Sequence, residues 1–180
     1  MLPIVVEKTS LWDERAQEFI DVPETKLTLE HSLVSMSKWE ANWHIPFLSK
    51  EKKTYEQTID YIKCMTITQN VNPNVYYALS QENINSINEY IDDPRTATWF
   101  NEPKTSGTNG EQTTSELIYY WMITLNIPIV CEKWHLNRLL TLIKICNIKN
   151  SPPKKMSKQE ILRENARLNA MRRKKLGTKG

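Results

Sequence analysis

The sequence predicts a mainly α protein of the α+β class: a bundle of about five helices, a small N-terminal antiparallel β-hairpin or sheet, and a C-terminal basic amphipathic helix. Three observations carry that prediction. Apolar residues recur at helical spacing from residue 32 onward, β-branched and alternating runs are confined to residues 3–31, and residues 151–180 switch to dense positive charge. A chain of 180 residues is long enough for one core and an appendage. We expect residues 1–150 to form a single globular domain (1–31 as sheet, 32–150 helical) and 151–180 a Pro-linked basic helical tail.

Ile4, Val5 and Val6 open an extended segment, and Phe19-Ile20-Asp21-Val22 and Lys26-Leu27-Thr28-Leu29-Glu30 nearly alternate. The pattern predicts a hairpin of 3–8 with 17–22, turned through Trp12-Asp13-Glu14-Arg15, and a third strand at 26–30 beyond Pro23. Ser32 then reads as the N-cap of a helix in which Leu33, Met36, Trp39 and Trp43 share one face. That face serves either the core or an interface. Pro46 disfavours helix at Ile45 and ends it.

Thr54-x-x-Gln57 is a capping box opening a helix to about Met65, with Tyr55, Ile59 and Ile62 inward. After the turn at 70–74, a short helical turn at 75–79 precedes Ser80. Ser80 caps a helix carrying Ile84, Ile87 and Ile91. Residues 96–100 suit a short strand or an ordered loop, and the polar stretch 101–112, with both interior glycines, suits a mobile loop. Thr113-x-x-Glu116 predicts another cap before a run, 117–125, that is apolar nearly all round and so reads as buried on several sides. Cys131 to Lys149 is the longest clean helical period, with Leu136, Leu139, Leu140 and Ile143 on its stripe. The short link between these two segments predicts an antiparallel pair, 113–126 with 131–149, at the centre of the core. Two prolines, Pro152 and Pro153, stiffen a linker, and Ser157-x-x-Glu160 with Met156 and Ile161 starts the last helix.

Chemistry is harder to find. Only 4 glycines are present, and none sits in a phosphate-cradling loop. The 3 cysteines, Cys64, Cys131 and Cys146, lie in apolar patterns and read as buried, reduced thiols. Cys131-x-x-x-His135 has helical spacing, but zinc needs four ligands and no second pair of suitable spacing exists. No nucleophile elbow appears, and Asp92-Asp93 reads as a helix end before Pro94. We therefore expect no catalytic, cofactor-binding or metal residues. No apolar run is long enough to span a membrane, and the segment MLPIVVEKTS lacks the regions of a signal peptide.

Charge is the strongest signal. Residues 151–180 hold 10 Lys/Arg against 2 Glu, a balance of +8, while residues 1–150 hold 14 Lys/Arg against 19 Asp/Glu, a balance of −5. The candidate binding residues are Ile161, Leu162, Arg163, Arg167, Leu168, Met171, Arg172, Arg173, Lys174 and Lys175 on the tail, with Trp39 and Trp43 on the body. The tail suits solvation, phosphate contacts by residues 154–179 with few aromatics to stack bases, or a protein groove that takes an amphipathic helix.

The runs 27–66, 72–98, 113–150 and 155–180, with WHLNRLL at Trp134–Leu140 the most distinctive piece, resemble small proteins of tailed bacteriophages described as tail assembly chaperones. The resemblance spans most of the chain and carries over no site residues. It implies a non-enzymatic protein of the host cytoplasm or the virion. Such proteins bind the long, helix-rich tape-measure protein before the tail tube polymerises around it. Partners then to be expected are the tape-measure or another tail protein, and a second copy of the chain. The alternative is a virion structural or nucleic-acid-binding protein that uses its basic tail.

Overall fold

A computed structural model describes residues 1–14, 16–100, 112–150 and 158–177. Four strands come first: β1 (Leu2–Val6), β2 (Thr9–Asp13), β3 (Glu18–Val22) and β4 (Thr25–Leu29). Six helices follow among the described residues: α1 (Leu33–Trp43), α2 (Tyr55–Met65), α3 (Gln81–Asp92), α4 (Ser115–Thr124), α5 (Leu136–Asn150) and α6 (Lys158–Leu176). The class is α+β, as the periodicities require. Contacts group the chain into two units, Met1–Asn147 and Ile148–Gly180.

The strands pair as two levels of one long hairpin rather than as 3–8 with 17–22. Leu2–Val6 lies antiparallel to Thr25–Leu29, and Thr9–Asp13 lies antiparallel to Glu18–Val22. The ladder breaks where Pro23 has no N–H to offer, which divides it into two short sheets. The outer level buries Ile4, Val6, Leu27 and Leu29 on one face. Trp12 and Asp13 belong to a strand, and the turn lies beyond them, closed by the Gln17 amide on the Asp13 carbonyl at 2.8 Å.

Helix starts behave locally. Ser32 caps α1 in a box with Ser35, Thr54 caps α2 in a box with Gln57, and Ser80 caps α3. Leu33, Met36 and Trp39 bury the inner face of α1, and Ile59, Ile62 and Met65 that of α2. Tyr55 points outward instead. Residues 96–100 form no strand. The stretch 101–111 and the segment 151–157, which includes Met156 and Ser157, lie outside the described residues.

The predicted central pair is corrected. The helix read from Cys131 begins at Leu136, because residues Ile129–Lys133 wind a 3-10 turn and Trp134 is extended. A bridge between Ser32 and His135 fixes that boundary, with the Leu136 amide on the His31 carbonyl at 2.8 Å. The link from α4 is therefore long, and α4 and α5 do not form the close pair expected. The most connected helix is α1, which packs on α2, on α4 and on the 3-10 turn at 129–133. The α4 cap is Thr114, one residue later than read. Only Ser115, Ile118 and Met122 of α4 are buried, so one side of that helix is covered rather than several.

Candidate functional site

The candidate residues divide sharply by environment. Trp39 is 1% exposed, and its indole N–H donates to the Gln57 carbonyl at 2.8 Å. It belongs to the core and offers no docking surface. Trp43 is half-buried and donates to Asp60 Oδ2 at 2.9 Å, a bond that turns its ring toward α2. The two rings stand 6.3 Å apart, with Phe47 edge-on to Trp39 at 5.3 Å. Body tryptophans at helical spacing thus serve packing.

The tail residues are the opposite case. Ile161, Leu162, Leu168, Met171 and Leu176 are 39–72% exposed, on a helix whose residues Arg163, Arg167 and Arg172–Lys175 are exposed too. Arg167 meets Glu164 at 2.8 Å, an i,i+3 pair that stiffens the surface at little energetic gain. A helix of 19 residues with its large apolar side chains in water is the feature here that most requires a covering partner.

Sequence reasoning missed a second exposed apolar face. Tyr120 and Ile123 on α4 are 61% and 72% exposed, and Ile129 and Val130 on the 3-10 turn are equally open. Asn126, at a φ of 54°, turns the chain where α4 ends. The Tyr119 hydroxyl donates to Glu132 at 2.9 Å, and burial, then that bond, pushes the phenol up to about 12. No signal in the run 117–130 separates its covered side from its open one. Trp12 and Phe19 form a third exposed pair, 5.0 Å apart across the inner hairpin.

The titratable interior is polar, and all but one of its buried side-chain polar atoms among the described residues find a partner. His31 bonds the Tyr61 hydroxyl, and its ring lies edge-on to His135 at 5.1 Å. His135 Nε2 is 2.9 Å from the Tyr90 carbonyl. A carbonyl only accepts, so Nε2 carries the proton and Nδ1 is left a buried acceptor without a donor. Burial, and then the neighbouring His135, push His31 down to about 3, and burial also lowers His135. Both rings are therefore neutral. Cys64 is pushed up to about 11 by burial and then by Asp60, which blunts a thiolate. Cys131 is buried, while Cys64 and Cys146 are half-buried rather than enclosed.

Glu40 is the buried carboxylate that sequence reasoning passed over. Its Oε1 accepts from the Phe47 amide and its Oε2 from the Ser115 amide, both at 2.7 Å. The carboxylate thereby anchors the break after α1 and the start of α4 at once. Its role is structural, since both oxygens are spent on backbone. Cys131 and His135 do not share a helical face, and among the described residues no three His, Cys, Asp or Glu side chains group to hold a metal. Among the same residues no helix is long and apolar enough to cross a membrane. No family model, curated protein or solved structure matches the chain.

Proposed function

We propose that the protein is a non-enzymatic tail assembly chaperone that holds the tape-measure protein of a tailed bacteriophage soluble until the tube closes around it. The resemblance of residues 27–66, 72–98, 113–150 and 155–180 motivates the family. The exposure of Ile161, Leu162, Leu168 and Met171 amid the cations of α6 is the observation that carries the mode of binding. A helix of this kind lays its apolar residues against an apolar stripe on an elongated helical partner, while its guanidinium and ammonium groups reach flanking carboxylates. The open face at Tyr120, Ile123, Ile129 and Val130 supplies a second grip of the same chemistry.

Co-expression with the tape-measure protein tests this. In the full chain, Ile161→Ser, Leu168→Ser and Met171→Ser together should lower the soluble, co-purifying tape-measure fraction by at least about tenfold, given roughly 1.5–3 kcal/mol for each large side chain buried. An unchanged fraction defeats the reading. The exposed run Arg172–Lys175 favours one other reading, a contact with DNA phosphates. Sub-micromolar DNA binding that collapses between low and moderate salt would establish that reading instead.

A further inference from the structure

A cleft of about 350 Å³ opens beside the start of α5, lined among others by Tyr90, Arg95, Lys133, Trp134, His135 and Arg138. Met1 and Glu30 line it too, and of its cations only Arg95 and the Met1 amine meet a carboxylate among the described residues. The Arg138 guanidinium lies over the Trp134 ring at 4.4 Å, and Arg95 lies over Tyr90 at 4.9 Å. Stacking of this kind fixes the plane of a guanidinium and leaves its edge N–H groups to a ligand. Among the described residues, neither Lys133 nor Arg138 pairs with a carboxylate. The acids that are nearby are engaged. Glu30 takes the Tyr90 hydroxyl at 2.7 Å and the Met1 amine at 2.8 Å, and Asp93 takes the Arg95 Nε at 2.7 Å.

The helix end adds to this field. Helices favour acids in the first turn, where the backbone dipole is positive. The first turn of α5 has none and carries Arg138 instead. The helix dipole, two stacked guanidiniums and the Lys133 ammonium therefore concentrate positive potential on a single concavity, in a body whose residues 1–150 sum to −5.

We propose that this cleft is a binding site for clustered carboxylates on an acidic segment of a protein partner. The site is distinct from α6 and does not depend on what α6 binds. Two facts favour a carboxylate segment over nucleic acid. The surface next to the cleft, along the end of α3, is lined by Glu89, Asp92 and Asp93, and the Asp93–Arg95 pair joins the two. A nucleic-acid strand carries charge at every residue and would be driven onto those acids, whereas a peptide confines its charge to the two or three side chains that enter the cleft.

Isothermal titration of the full chain with N-acetyl tetraglutamate amide at low salt tests the site. Two variants separate it from the tail. Arg95→Gln with Arg138→Gln should weaken binding by about tenfold or more, as loss of charge-assisted bonds requires. Arg172→Gln, Arg173→Gln, Lys174→Gln and Lys175→Gln together should leave it within about twofold. Lys133→Glu, on the exposed rim, repeats the cleft measurement without disturbing either stack, and is decisive if the double variant loses its far-UV circular dichroism. The proposal is overturned if the peptide fails to bind at millimolar concentration, if only the tail variant loses binding, or if oligothymidylate displaces the peptide through the same arginines more tightly than the peptide binds.

Discussion

Glu40 shows how much one side chain can settle. Both of its oxygens accept a backbone amide, one 7 and the other 75 residues away. Removing it leaves two buried donors unsatisfied, each worth about 1.5–3 kcal/mol when the acceptor is charged. Glu40→Ala should therefore lower unfolding stability by about 3–5 kcal/mol in urea titrations, with an unchanged slope if folding stays two-state. Glu40→Gln, which keeps one good acceptor, should cost about half of that.

His31 and His135 set the acid limit. In the unfolded chain both titrate near the ordinary histidine value, about 6.5. In the folded chain His31 is held to about 3 and His135 is also lowered. The unfolded state thus binds more protons below about 6.5, and the stability contributed by the neutral rings is complete above that pH. It is lost as pH falls from 6.5 toward 3, by about 1.4 kcal/mol per pH unit for His31, with His135 acting in the same direction. Urea midpoints measured from pH 7 to pH 4.5 should fall steadily, and His31→Gln should flatten the slope while lowering the plateau. A plateau that runs unbroken to pH 4.5 in the wild-type chain would refute the assignment.

At the scale of elements, α4 separates what periodicity tells from what packing decides. Ile118 and Ile123 look alike in a run that is apolar nearly all round, yet the first is fully buried and the second is 72% exposed. Ile118→Ala should cost about 2–5 kcal/mol through the lost methylenes and the cavity they leave. Ile123→Gln should stay within about 0.5 kcal/mol. Thermal unfolding of the two variants side by side checks this. The starts of α1, α2 and α3 were legible because a cap is a local device: Ser32, Thr54 and Ser80 find their amide donors three residues downstream. The start of α5 was not legible. Its boundary is set by the His31 carbonyl and the Ser32 bridge, contacts that spacing within the helix does not encode. Strand partners were hidden for a related reason, since alternation marks a face and not the neighbour across it.

Across the whole molecule, class and charge division were readable from composition and period alone. Candidate surfaces were readable only where they are continuous in sequence. The tail satisfies that condition, since its exposed apolar and cationic residues lie within one helix. The cleft at the start of α5 does not, because Arg95 and Arg138 line it together only where Asn137 ties the end of α3 to α5. Trp39 was a plausible interface residue on spacing and proves to be interior, because the chain after α1 doubles back through Phe47 and closes over it.

The Glu40 bridge also imposes an order on synthesis. A nascent chain that has not yet reached residue 115 carries α1 complete and its carboxylate half served, with the Phe47 amide in place and the other oxygen waiting. The body therefore cannot finish closing as it leaves the ribosome in stages. Its interior is sealed only when a segment made much later arrives at the first helix.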